Sequence, residues 1–190
     1  MMKIIMLMFM LSLALAQEYL PKQGTVPFCD AYTDGIARSG DSDFWRYGTR
    51  GWKNIISSYP VRPNSVTKIT FFQAIGNYFM IGCGKLPDLS YMSSRYIGQF
   101  ANSLGFHTVD GNKYNNGLLH TAYSSATVAG DKITMTIDLR PFKKTVSFAK
   151  NGLSLGIALG GLNFWGDDIY IMVGIFMPGH RIKVIDYQVE

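Results

Sequence analysis

Three histidines and two cysteines are the side chains of this 190-residue chain best suited to metal binding or nucleophilic chemistry. His107, His120 and His180 stand far apart, with no His-x-x-x-His spacing and no cysteine pair beside them, so no zinc site is expected. Neither Cys29 nor Cys83 sits in a nucleophile motif, and there is no Gly-x-Ser-x-Gly elbow or phosphate-binding loop. Asp167-Asp168 offers two carboxylates, as an acid and a base or as calcium ligands. Adjacent strand residues point to opposite faces, so the pair reads more simply as a solvated turn. No cofactor is implied. Binding chemistry remains. Tyr91, Arg95, Tyr114, Asn115, Arg140, Trp165 and Asp167 fall in stretches expected as loops rich in aromatics and hydrogen-bonding groups. Tyrosine, tryptophan and arginine dominate interface energies. Each of these positions also reads as an exposed or half-packed loop residue.

Such residues need a scaffold, and its clearest part is Gly130 to Leu162. Ile133, Met135 and Ile137 alternate with Lys132, Thr134, Thr136 and Asp138, the period of a strand with one buried face. Val146 and Phe148 repeat it after the break at Arg140-Pro141-Phe142-Lys143-Lys144. Asn151-Gly152 then fits a type I′ hairpin turn, because both residues tolerate positive φ. Leu153, Leu155, Ile157 and Leu159 alternate again. Three antiparallel strands, each with an apolar face, require a second layer. Further strands are expected at 52–57, 104–107 and 118–123. Residues 65–74 and 78–83, joined by Gly76-Asn77, read as a hairpin. Ile169 to Phe176 is apolar on both faces, and Arg181 to Tyr187 alternates. Some ten strands with frequent turns predict an all-β fold, a two-sheet antiparallel β-sandwich.

The ends and the composition set the context. Residues 1–16 have the pattern of a secretory signal peptide: Lys3, an apolar run from Ile4 to Ala14, and Ala14-Leu15-Ala16 before Gln17. The run is too short to span a bilayer, and no later stretch qualifies, so no membrane span is expected after signal removal. Residues 17–43 read as an irregular lead-in and 44–190 as one domain. In a secreted chain an even cysteine count invites a Cys29–Cys83 disulfide. The alternative is a buried core thiol at Cys83 and a free Cys29. The net charge of +5 comes from scattered residues. It forms no basic stripe of the kind nucleic-acid binding needs.

The Gly130 block resembles the core of the SPRY domain. It carries Gly130-Asp131, Asp138, Ser147-Phe148, Asn151-Gly152, Leu155-Gly156 and Ile157-Ala158. Upstream, Tyr78 to Gly84 is similar to a strand ending in Ile/Val-Gly in that family, and Leu104 to Asn116 to its aromatic strand, glycine turn and Lys-Tyr. The resemblance spans roughly 44–190 and is strongest in about the last 60 residues. It implies a concanavalin-like jelly roll whose end loops form a shallow surface for proteins or peptides. The chain is therefore expected to be a secreted, non-catalytic binding module for a protein or peptide ligand. A lectin-like module of the same architecture is the alternative, with Trp165, Tyr114, Asn115, Asn116 and Asp167 stacking on and bonding a glycan. A glycan-acting hydrolase would need two facing carboxylates.

Overall fold

Alternating apolar residues dictate the architecture. The computed structural model describes residues 19–21, 24–29, 35–86, 95–117, 121–160 and 168–190. Within them the strands are β1 (Ile36–Ser39), β2 (Asp43–Arg46), β3 (Lys53–Ile56), β4 (Val66–Ile75), β5 (Phe79–Gly84), β6 (Ser103–His107), β7 (Asn112–Asn115), β8 (Thr121–Ala122), β9 (Lys132–Asp138), β10 (Thr145–Lys150), β11 (Leu153–Leu159), β12 (Tyr170–Ile175) and β13 (Arg181–Val189). A seven-stranded sheet has the order β1-β2-β13-β4-β9-β10-β11, and a six-stranded sheet the order β3-β12-β5-β6-β7-β8. Neighbouring strands pair antiparallel throughout. The expected all-β sandwich is the observed fold.

The core lies between the sheets. Ile133, Met135 and Ile137 are fully buried, as are Ile69, Phe71 and Val146 of the same sheet. They pack in one cluster with Ile81, Cys83, Leu104, Phe106, Ile171 and Val173 from the other. Phe106 of β6 meets Phe148 of β10 with ring centroids 5.2 Å apart, which ties the layers together. Burying each such side chain contributes roughly 1.5–3 kcal/mol. At the hairpin between β10 and β11, Asn151 (φ 52°) and Gly152 (φ 83°) both adopt the left-handed conformation that a type I′ turn requires. Asp131 braces this corner. Its carboxylate accepts from the Val128 N–H at 2.9 Å and from Asn151 Nδ2 at 2.7 Å.

Four expectations need correction. β4 and β5 are not a hairpin, because they lie in different sheets. Gly76-Asn77 instead carries the chain from one layer to the other, and alternation cannot distinguish that crossing from a hairpin. The stretch expected as an irregular lead-in, 17–43, contributes β1, and Leu20, Val26 and Phe28 are buried in the core. β1 is too short to show a period. β11 does not bury a regular apolar face: Leu153 is 75% exposed and Ile157 61%. It is the terminal strand of its sheet, and shifts in its pairing with β10 break the alternation. Finally, Cys29 and Cys83 are free thiols. Phe28 bridges to Ser57 beside β3, whereas Cys83 lies on β5, beyond β12. Three strand spacings, about 14 Å, separate the two, far beyond the reach of a disulfide. Burial also pushes the Cys83 thiol pKa strongly upward. The expected signal peptide lies outside the described residues.

Candidate functional site

The outer face of the six-stranded sheet is built differently from the core. At Gly105 of β6 a Cβ would collide with the Ile97 carbonyl oxygen and lie 2.6 Å from Met80 Sδ. Glycine here lets residues 95–102 lie directly on the strands. That segment is held down by the Gly98 N–H donating to Ser103 Oγ at 2.8 Å and the Gly117 N–H donating to the Gly98 carbonyl at 2.9 Å. Ile97 and Phe100 bury themselves there against Ile56, Met80 and Met172, making a second, smaller core.

Beside this patch the same face opens into a cleft of about 130 Å³ lined by Trp52, Tyr78, Met80, Tyr96, His107 and Tyr114. Each ring comes from a different segment. Trp52 precedes β3, Tyr78 precedes β5, Tyr96 sits on the overlaid segment, His107 ends β6, and Tyr114 is on β7. The rings meet at steep angles. Trp52 lies 5.8 Å from Tyr78 and 5.8 Å from His107, both edge-on, and Tyr96 and Tyr114 meet edge-on at 5.1 Å. Phe176 extends the rim by stacking on Tyr78 at 4.7 Å, and the Arg50 guanidinium sits 5.3 Å above the Phe176 ring.

Asp110 organises the cleft's electrostatics. Its Oδ2 is 2.9 Å from His107 Nδ1, and its Oδ1 accepts from the Asn112 N–H at 2.9 Å. Burial alone would raise the Asp110 pKa, but the bond from the Asn112 N–H and the adjacent His107 outweigh it and hold the carboxyl below its ordinary value. Burial and the Asp110 charge push the Tyr114 phenol up to about 12, so it stays protonated. His107 is 6% exposed, and both its ring nitrogens are buried without a well-aligned hydrogen bond among the described residues, so Nδ1 lies close to the Asp110 carboxylate without pointing a proton at it.

The structure separates the residues singled out in the sequence. Tyr114 faces the cleft. Asn115, its neighbour on β7, points the other way, with its Oδ1 buried without a hydrogen-bond partner among the described residues. Arg95 begins the overlaid segment, is exposed, and its carbonyl accepts from Asn54 Nδ2 at 2.7 Å. Arg140 lies at the opposite end of the sandwich. Its Nε and Nη2 clasp Asp138 at 3.0 and 2.7 Å, and Asp138 pairs with Val66 at the start of β4, whereas the His107 turn lies near the end of β4. Ten strand residues intervene, about 30 Å. Tyr91, Trp165 and Asp167 lie outside the described residues. Trp52, Tyr78, Tyr96, His107 and Asp110 were not singled out as binding residues from the sequence. The available signal was the run Trp52, Asn54, Ile56 at strand spacing, with a bulky aromatic leading the face turned away from the core.

Solved structures share the fold of the sandwich. A human SPRY domain superposes with a TM-score of 0.63 at 20% identity, covering 80% of this chain and 94% of that one. The SPRY domain of human HERC1 gives 0.67 at 20% identity, covering 84% and 97%. The fold is that of a SPRY domain. The SPRY-like sandwich has the two antiparallel layers described above. A search of family models finds no match. Among curated proteins, the dual specificity protein kinase splA of Dictyostelium discoideum is 29% identical over 140 residues, 74% of this chain. The chain spans only 6% of that kinase's length.

His180 supports the cleft from behind. Its Nδ1 accepts from the Tyr78 N–H at 3.2 Å, and its ring meets Phe79 at 5.7 Å. Burial lowers its pKa from the ordinary 6.5. Below that value the unfolded chain takes up a proton that the folded histidine resists. Stability from this group is therefore complete above pH 6.5 and declines as pH falls beneath it. Thermal melts between pH 7.5 and 5 should show a falling midpoint, with a shallower slope in His180→Gln. Equal slopes in the two proteins would remove His180 as the cause.

Proposed function

We propose that this protein is a non-catalytic binding module that recognises a protein or peptide through the aromatic cleft on the outer face of its six-stranded sheet. The observation that carries the reading is the cleft itself: four aromatic rings and one histidine, delivered by separate segments onto a rigid face. Half-buried aromatic clusters of this kind form the energetic centres of protein interfaces. SPRY domains are in general protein-interaction modules, which agrees with the geometry. Arg140 is too distant to share the surface. The test is selection of peptides from a random display library by the full chain. Enriched peptides should lose binding to Trp52→Ala. Selective sugar binding on a glycan array, lost in the same variant, would favour the lectin reading instead.

The protein acts, in this reading, outside the cell or within the secretory pathway. Lys3, the apolar run and Ala14-Leu15-Ala16 support that placement. Sequencing the N-terminus of protein recovered from a secreting host should give Gln17. Intracellular retention with Met1 or Met2 at the N-terminus would contradict it.

A further inference from the structure

We propose that Arg46 is a positioning residue of the cleft: its buried guanidinium shapes the segment 47–51 and so sets Trp52 and Arg50 at the recognition surface. The inference rests on reading the cleft as the recognition site and adds the device that assembles it.

Arg46 carries a charge into the interior. It ends β2 in the seven-stranded sheet and is 4% exposed. Burying a charge is costly unless hydrogen bonds replace its water. Here main-chain carbonyls replace it. Nη1 donates to the Gly35 carbonyl at 2.7 Å and to the Tyr47 carbonyl. Nη2 donates to the Thr49 carbonyl at 2.6 Å, and Nε to the Gly51 carbonyl at 3.4 Å. Among the described residues, all the hydrogen-bond partners of this guanidinium are carbonyls, and none is a carboxylate. Tyr47, Thr49 and Gly51 belong to the segment that follows Arg46 directly. That segment makes no main-chain hydrogen bond within itself among the described residues. Its shape is therefore set by the guanidinium around which it folds.

The segment delivers the cleft's central ring. Residues 47–51 carry the chain from β2 in one sheet to β3 in the other, and Trp52 follows at once. The Gly51 N–H donates to the Phe176 carbonyl at 3.1 Å, Arg50 lies over the Phe176 ring, and Trp52 meets that ring at 5.2 Å. The main chain of Arg46 also fixes the turn that follows Phe176. Its N–H donates to the His180 carbonyl at 3.1 Å, and its carbonyl accepts from the Gly179 N–H at 2.8 Å. One residue thus holds both segments that meet at Trp52 and Phe176. Lysine cannot replace it. A guanidinium spreads five N–H donors over a planar fork, whereas an ammonium has three on one atom, too few and too close together for carbonyls so dispersed.

The experiment compares the full chain with Arg46→Lys through nuclear Overhauser contacts between rings. The variant should lose the contacts of Trp52 with Phe176 and Tyr78 and keep the contact of Phe106 with Phe148 in the core. It should bind a display-selected peptide about tenfold more weakly, and the same change made in Trp52→Ala should cause no further loss. Retained Trp52 contacts would overturn the assignment. So would equal losses of affinity in the two backgrounds, the mark of a general structural defect. Should lysine prevent folding, hydrogen exchange of the unaltered chain decides. The Tyr47 and Gly51 amides, at opposite ends of the segment, should open together as urea rises, before Ile133 and Met135. Separate openings of those two amides would overturn the assignment. Failure of the underlying reading is seen separately, as display-selected peptides that are indifferent to Trp52→Ala while Arg46→Lys still loses the ring contacts.

Discussion

Replacing Gly105 with alanine is expected to destabilise the protein by about 3 kcal/mol, near the upper end for an overpacked site. The added methyl would collide with the Ile97 carbonyl oxygen and crowd the Met80 thioether. A flexible side chain can retreat from such a contact, but a backbone carbonyl cannot do so without moving its segment. Residues 95–102 would lift from the sheet, exposing Ile97 and Phe100 and displacing Tyr96 from the cleft. The loss should appear as a lowered midpoint in urea denaturation with an unchanged slope. By contrast, Gly130→Ala meets no neighbour within 4 Å and suffers only its backbone strain at φ 95°. A Gly105→Ala protein as stable as the parent would mean that the segment does not rest on β6 as described.

Trp52→Ala is expected to weaken a display-selected peptide about 100-fold, the effect of removing a central aromatic anchor worth roughly 3 kcal/mol. Trp52 touches Tyr78, Tyr96, His107 and Phe176, so it joins both walls of the cleft. Its truncation leaves the inter-sheet core untouched, since it packs with the outer cluster rather than with Phe106 and Phe148. Binding should therefore fall far more than stability. Trp52→Phe, which keeps a ring, should retain most of the affinity. Comparable losses of binding and of melting temperature would instead mark Trp52 as a support for the sheet.

The sandwich was legible because its central strands write their environment into the sequence. Ile133, Met135 and Ile137 fall on one face and are fully buried, and β12, apolar on both faces, lies between β3 and β5. The route of the chain was less legible. Gly76-Asn77 reads the same whether it closes a hairpin or steps between layers. Leu153 and Ile157 alternate as if buried, yet an outermost strand with shifted pairing exposes them. The cysteine pairing failed for a related reason: parity says nothing about the intervening β12.

The cleft was scarcely legible. Its rings come from positions 52, 78, 96, 107 and 114, and each alone resembles an aromatic at the end of a strand. Tyr114 was found through its residue type, but the partner that makes it useful, Asp110, acts through space on His107 as well. The burial of both His107 ring nitrogens depends on which neighbours fold over them, and spacing carries no trace of that. Arg140 looked equally suitable until the pairing of Asp138 with Val66 placed it at the far end.

Hydrogen exchange of the full chain, free and saturated with a display-selected peptide, measures the binding surface directly. The account predicts slowed exchange at residues 50–54, 78–80, 95–98 and 107–114, with 139–145 unaffected. Slowed exchange confined to 139–145 or to the exposed edge at β11, with the cleft unchanged, would contradict it.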